Sequence, residues 1–182
     1  MTSNTSTIRF KAKLQQPEAA TPASWAFLVL PLSASAKLPT RSMTTVSGTL
    51  NGQAFTATLE PDGQKSHWLK VDHKLLKAAS ASAGDTVALE IQPVEQEPEP
   101  KLPPELRKAL AAAPKAKATW VDITPVARRD WIHWITSAKR AETRTRRLET
   151  ACDMLASGKR RACCFDRSGI YSKSLSAPKA AK

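Results

Sequence analysis

Apolar and polar side chains alternate through most of the first half of the chain. Across 7–14, Ile8, Phe10, Ala12 and Leu14 alternate with Arg9, Lys11 and Lys13, the two-residue period of a strand with one covered face. Residues 25–30 are continuously apolar and too short for a helix, as in a strand covered on both sides. The runs 43–50 and 53–60 flank Asn51-Gly52. That dipeptide is the strongest short-range hairpin signal, because a type I′ turn needs positive φ at both central residues. Pro61-Asp62-Gly63 turns the chain into 66–72, where His67, Leu69 and Val71 alternate with Trp68 and Lys70. Residues 73–81 read as a short helix with Leu75, Leu76 and Ala79 inward. Gly84-Asp85 then leads into 86–91, where Val87, Leu89 and Ile91 share a face. Six short strands and one small helix predict a compact antiparallel barrel, which removes exposed sheet edges.

The pattern breaks between 92 and 104, which hold five of the 13 prolines together with Glu95, Glu97 and Glu99. Proline fixes φ and supplies no amide hydrogen, so a stiff linker is expected there. Beyond it the period becomes about 3.6 residues. Pro104 and Pro114 each suit the first turn of a helix, the first carrying Leu106, Ala109 and Leu110 inward, the second ending near Trp120. Thr124-Pro125 reads as a cap and first-turn proline for a helix with Ala127, Trp131, Trp134, Ile135 and Ala138 inward. The last helix is expected from about Arg140 to Ser157, with Gly158 as its left-handed terminator. After it, Ala-, Ser- and Lys-rich sequence without periodicity predicts a mobile basic tail. The expected fold is therefore α+β: a six-stranded antiparallel barrel over 7–92, a linker over 93–104, a small all-α domain of about four helices over 105–158, and a tail over 159–182.

Charge sharpens this division. Residues 1–98 hold 9 Lys/Arg against 8 Asp/Glu, whereas 99–182 hold 19 against 8, so the net +12 divides into +1 and +11. The second half is thereby suited to an anionic partner, with solubility alone as the plainer explanation. On the last helix, Ala141, Leu148, Ala151, Cys152 and Leu155 form one apolar side. Arg144 is expected to point into the N-terminal end of that stripe, with Arg140 and Arg147 bordering it, while Glu142, Arg146, Glu149 and Asp153 can pair on the opposite side. A guanidinium beside a core must be paired or must hold an anion. Two readings follow: an anion site built on Arg140, Arg144 and Arg147, or an internal bridge from Arg144 to Asp122 or Asp130. Trp131 and Trp134 read as core rather than as a base-stacking platform.

Catalytic signals are sparse. His67, His73 and His133 have no ligand spacing, so no metal or other cofactor is expected, and His133 shares a polar face with Arg129 and Arg140. Cys163 and Cys164 lie beside Lys159, Arg160, Arg161 and Arg167, where positive neighbours lower a thiol pKa; a tail without a fixed base or oxyanion donors argues against nucleophilic catalysis there. Gly48 and Gly52 belong to the hairpin and form no phosphate loop. The longest apolar run, 25–32, is too short to cross a membrane. The N-terminus reaches Arg9 and Lys11 without an apolar core, so a reducing cytoplasm is expected.

Two segments resemble known families. The string Val46-Ser47-Gly48-Thr49-Leu50-Asn51-Gly52-Gln53-Ala54-Phe55, with Leu59, Pro61, Gly63, His67, Leu69, Val71 and Gly84-Asp85-Thr86-Val87, resembles a bacterial domain of unknown function that folds as a small double-split β-barrel. Leu102-Pro103, Leu106, Ala109, Leu110, Trp134-Ile135 and the run 138–147, Ala-Lys-Arg-Ala-Glu-Thr-Arg-Thr-Arg-Arg, resemble the YdeI or OmpD-associated bacteriocin-protection family. The resemblance implies a cytoplasmic, non-catalytic accessory protein of stress or antimicrobial-peptide tolerance. It brings no catalytic residues and no assigned roles for the matching arginines. The binding residues expected for an anionic or protein partner are Lys139, Arg140, Thr143, Arg144 and Arg147, and nucleic-acid binding by the basic half is the alternative. The barrel is more distantly similar to AbrB-like swapped-hairpin folds, a likeness of fold alone.

Overall fold

A computed structural model describes residues 6–19, 24–162 and 176–182. The chain divides into two compact units, Met1–Glu95 with Ile170–Lys182, and Gln96–Gly169.

The first unit contains six strands: β1 (Ile8–Lys13), β2 (Trp25–Val29), β3 (Thr44–Leu50), β4 (Gln53–Pro61), β5 (His67–Asp72) and β6 (Thr86–Pro93). They form one antiparallel sheet in the order β1-β6-β3-β4-β5-β2. The sheet curls until Gln15, just past β1, meets β2, donating to Phe27 O at 2.7 Å and accepting from Phe27 N at 3.0 Å. Inside lie Ile8, Leu14, Val46, Leu50, Leu59, Leu69, Val71, Val87, Leu89 and Ile91, all buried. These are the alternating positions, and burying each large aliphatic side chain contributes roughly 1.5–3 kcal/mol. Asn51 (φ 47°) and Gly52 (φ 82°) make the expected turn between β3 and β4, and Asn51 Oδ1 also accepts from Ala88 N at 2.9 Å. Gly48 is needed for a different reason: a Cβ there would collide with the backbone carbonyl of Glu90 on the adjoining β6.

Two short helices complete this unit, α1 (Leu32–Ser35) and α2 (His73–Ala78). The second begins at Asp72, whose carboxylate accepts from Leu75 N at 2.8 Å. The first was not expected from the sequence. It delivers Ser35 Oγ to Nδ1 of buried His67 at 2.7 Å, while His67 Nε2 lies 3.0 Å from Ser42 O. A carbonyl can only accept, so Nε2 donates to Ser42 O and Nδ1 accepts from the Ser35 hydroxyl. His67 thus fastens the segment before β3 to β5. Trp68, expected on the outer face, is 8 % exposed and packs edge-on against Phe27.

The second unit contains α3 (Pro104–Ala112), α4 (Pro114–Asp122), α5 (Pro125–Thr136) and α6 (Ala141–Ala156). Proline opens each of the first three, where its missing amide hydrogen costs no helical bond. Thr124 Oγ1 caps α5 by accepting from Ala127 N at 3.3 Å. Gly158 (φ 86°) ends α6, with Gly158 N donating to Leu155 O and Lys159 N to Met154 O, the paired bonds of a Schellman termination. Helix α6 packs on α3, α4 and α5 and buries Ala151 and Leu155 against a core that includes Leu106, Leu110, Trp120, Trp131, Trp134 and Ile135. Trp131 and Trp134 meet edge to face at 6.1 Å, as expected of core residues.

Within 159–182, expected as a mobile tail, the described residues make specific contacts. Arg160 forms an ion pair with Asp122. Residues 176–182 pair with the first unit: Pro17 lies opposite Ala180 in an antiparallel bridge, Glu18 N donates to Lys179 O at 2.8 Å, and Ala181 N to Gln16 O at 2.8 Å. Main-chain pairing needs no hydrophobic period, so composition gave no sign of it. Cys163, Cys164 and Arg167 lie outside the described residues.

Candidate anion-binding ridge

The helices of the second unit are short and sharply separated, so each helix end leaves main-chain carbonyls without helical partners. Arginines satisfy several of them. Arg128 donates through Nε to Trp120 O (2.9 Å) and through Nη2 to Val121 O (2.7 Å), closing the end of α4, and through Nη1 to Glu99 at 2.6 Å. Arg160 reaches Asp122 O at 3.0 Å. Arg147 donates to Trp134 O at 2.7 Å and to Ser137 Oγ at 3.2 Å at the end of α5, with its guanidinium 5.4 Å from the centre of the Trp134 ring.

Arg129 is held between two acids. Nη1 lies 3.0 Å from Glu97 and Nη2 3.0 Å from Asp130, and the Arg129 and Glu97 side chains are only 14 % and 10 % exposed. Burial pushes the Asp130 carboxyl above its ordinary value, with Arg129 and His133 opposing that shift. The stretch expected as a stiff linker therefore supplies Glu97 and Glu99 as partners for α5. His133 and Arg129, expected on a solvated face, are half-buried.

Of the residues expected to bind a partner, the structure separates two groups. Lys139, Arg140 and Arg144 are exposed and Thr143 is half-buried. Among the described residues, none of these side chains has a hydrogen bond or ion pair. Arg144 does not enter the apolar stripe, and it forms no bridge to Asp122 or Asp130, which pair with Arg160 and Arg129 instead. The reason is local: α6 starts beyond the cover of its neighbours, and Ala141 one turn earlier is exposed as well. Arg147, by contrast, is occupied by α5. The suggested pairs among Glu142, Arg146, Glu149 and Asp153 are not formed among the described residues.

The open cations sit where local electrostatics disfavours them. Arg140 is the N-cap of α6 and gives no side-chain cap, so the first amides of the helix keep their partial positive charge. Arg144 is one turn further on, where like charges repel. An anion bound at this ridge would relieve both effects. Elsewhere the chemistry is limited. Burial, and then Asp153, raise the Cys152 thiol above its ordinary pKa, which lowers its thiolate fraction. Among the described residues there is no group of three His, Cys, Asp or Glu side chains that could hold a metal ion, and no helix long and apolar enough to cross a membrane.

Residues 10–91 match the model of a domain of unknown function, DUF1905, and residues 99–158 match the family described as bacteriocin-protection, YdeI or OmpD-associated. No curated protein matches the chain. The curled six-stranded sheet thus falls on the DUF1905 model and the four-helix unit on the YdeI or OmpD-associated model, in that order along the chain.

Proposed function

We propose that the protein is a non-catalytic accessory protein, acting in the cytoplasm in stress or antimicrobial-peptide tolerance, whose helical unit recognises an anionic partner through Lys139, Arg140, Thr143 and Arg144. The observation that carries this reading is the placement of three exposed cations, without acid partners among the described residues, at the positive end of α6. Arg128, Arg129 and Arg147 of the same unit are engaged with carbonyls or carboxylates. Cations that work against local stability are expected where binding requires them. Arg147 then serves as a fastener holding α6 to the end of α5 and so positions the ridge.

The test uses the full chain with two polyanions, inorganic polyphosphate and a short DNA duplex, across a salt series. The wild type should bind both with affinity falling steeply with salt, with a log-log slope near −0.9 per duplex phosphate neutralised. The double variant R140E/R144E should lose at least about tenfold in affinity, equivalent to about 1.4 kcal/mol, with its melting midpoint unchanged. Unaltered binding by that variant would refute the ridge. A strong preference for the duplex over polyphosphate would move the reading to nucleic acid, the alternative suggested by the net +7 of residues 96–162 (15 Lys/Arg, 8 Asp/Glu).

A further inference from the structure

The end of the chain is bound in a manner that resembles a ligand. Residues 176–182, Ser-Ala-Pro-Lys-Ala-Ala-Lys, run antiparallel to Gln16–Glu18 on the first unit. Three main-chain bonds hold them: Ala177 N to Asp62 O at 3.3 Å, Glu18 N to Lys179 O at 2.8 Å, and Ala181 N to Gln16 O at 2.8 Å. The groups used on the segment are those of 177, 179 and 181, the alternate positions that face a neighbour in an extended chain. Pro178 falls between them, where no amide hydrogen is needed. On the receiving side the pattern repeats: Gln16 O and Glu18 N are used, and buried Pro17 lies between them.

The receiving groups are fixed independently of their occupant. Gln15 is tied to Phe27 by two bonds, which sets the direction of the next residues. Asp62 donates its own amide to Ser66 O, and its carboxylate accepts from Gln64 N (2.7 Å) and Ser66 N (2.8 Å). The Asp62 carbonyl is the acceptor for Ala177 N. A preformed row of main-chain donors and acceptors at a sheet margin is the site at which extended peptides add as a further strand.

We propose that Gln16–Glu18 together with the Asp62 carbonyl form a docking site for an extended peptide of a protein partner, and that the chain's own 176–182 is its tethered occupant. The site selects by main-chain register. It needs an amide donor at the first and fifth positions of a five-residue window and a carbonyl at the third, and it tolerates proline at the second. The tethered segment competes with a free peptide for these groups, so a partner engages when the segment is displaced. This proposal is separate from the ridge on α6 and stands whether or not that ridge binds anions.

The test compares two full-length proline variants. In Ala181→Pro the donor to Gln16 O is gone and the segment should leave. In Ala180→Pro the ring replaces an amide that faces away and the segment should stay. Amide exchange at Glu18, read by NMR, should be at least about tenfold faster in Ala181→Pro than in either the wild type or Ala180→Pro. Adding the synthetic peptide Ser-Ala-Pro-Lys-Ala-Ala-Lys at millimolar concentration to Ala181→Pro should restore slow exchange at Glu18 and shift the Gln16 and Glu18 resonances. Equal exchange in the two variants would overturn the docking register. Loss of protection in Ala181→Pro that the added peptide does not restore would overturn the site as a receptor.

Discussion

The two units satisfy their polar backbone by different means. In the first, continuous ladders carry the load, and the gaps are closed by short side chains set in place by local geometry: Asn51 on Ala88, Asp62 on its own turn, Asp72 on α2, and Ser66 on Leu30. In the second, four short helices leave open carbonyl ends, and long guanidinium groups reach across to close them, Arg128 on α4 and Arg147 on α5. The contrast shows that arginine content in a small helical unit is first a matter of construction. Lys139, Arg140 and Arg144 near α6 are among the cations left over after the helix ends are served.

The sharpest challenge to the comparison lies in the first unit. Gly48→Val would drive a side chain into the Glu90 carbonyl, and about 3 kcal/mol of stability should be lost in urea unfolding. A loss under about 0.5 kcal/mol would show that β3 and β6 are not packed this closely. The next effect belongs to the second unit. Arg128→Ala removes two bonds at the end of α4 and the ion pair with Glu99 and should cost about 2 kcal/mol, whereas Arg140→Ala should stay within about 0.5 kcal/mol. Equal costs for the two would erase the distinction between fastening and free arginines. Arg147→Lys keeps the charge but loses the planar guanidinium that lies over the Trp134 ring while its Nη1 donates to Trp134 O and Ser137 Oγ; a fall of about 1 kcal/mol is expected, visible in the same melts.

The smallest effect is a pH dependence. The folded Asp130 carboxyl titrates above its ordinary 3.8, burial being the chief cause. Between the two values the native chain holds a proton that the unfolded chain has released, so stability falls as pH rises from 3.8 through the raised pKa. Asp130→Asn removes this contribution. As pH rises from 3.8 through the raised pKa, the stability difference between variant and wild type should move in the variant's favour; movement in the opposite sense would mean that the pairing with Arg129 outweighs burial.

Much of the architecture could be read from residues close together in the chain. The six alternating runs, Asn51-Gly52, Thr124-Pro125 and Gly158 each act within a few positions, and each forms the turn, cap or terminator expected of it. What escaped reading depends on distance. The four-residue α1 is too short to show a period. The attachment of 176–182 beside β1 rests on main-chain groups that every residue possesses. Glu97 and Glu99 looked like solvated linker acids because Arg129 and Arg128 lie about thirty residues away. Arg144 shows the limit of a helical wheel: its angle on α6 matches the apolar stripe, but periodicity carries no information on where the neighbouring helices stop. The five expected binding residues share one stretch of sequence, and only the packing distinguishes Arg147 from the others.

The most direct measurement is thermal unfolding of Arg144→Ala beside the wild type. An exposed guanidinium without a partner among the described residues predicts midpoints that agree within about 2 °C. A drop of about 10 °C or more, as expected when a buried ion pair is broken, would contradict the account and remove the ridge as a binding surface.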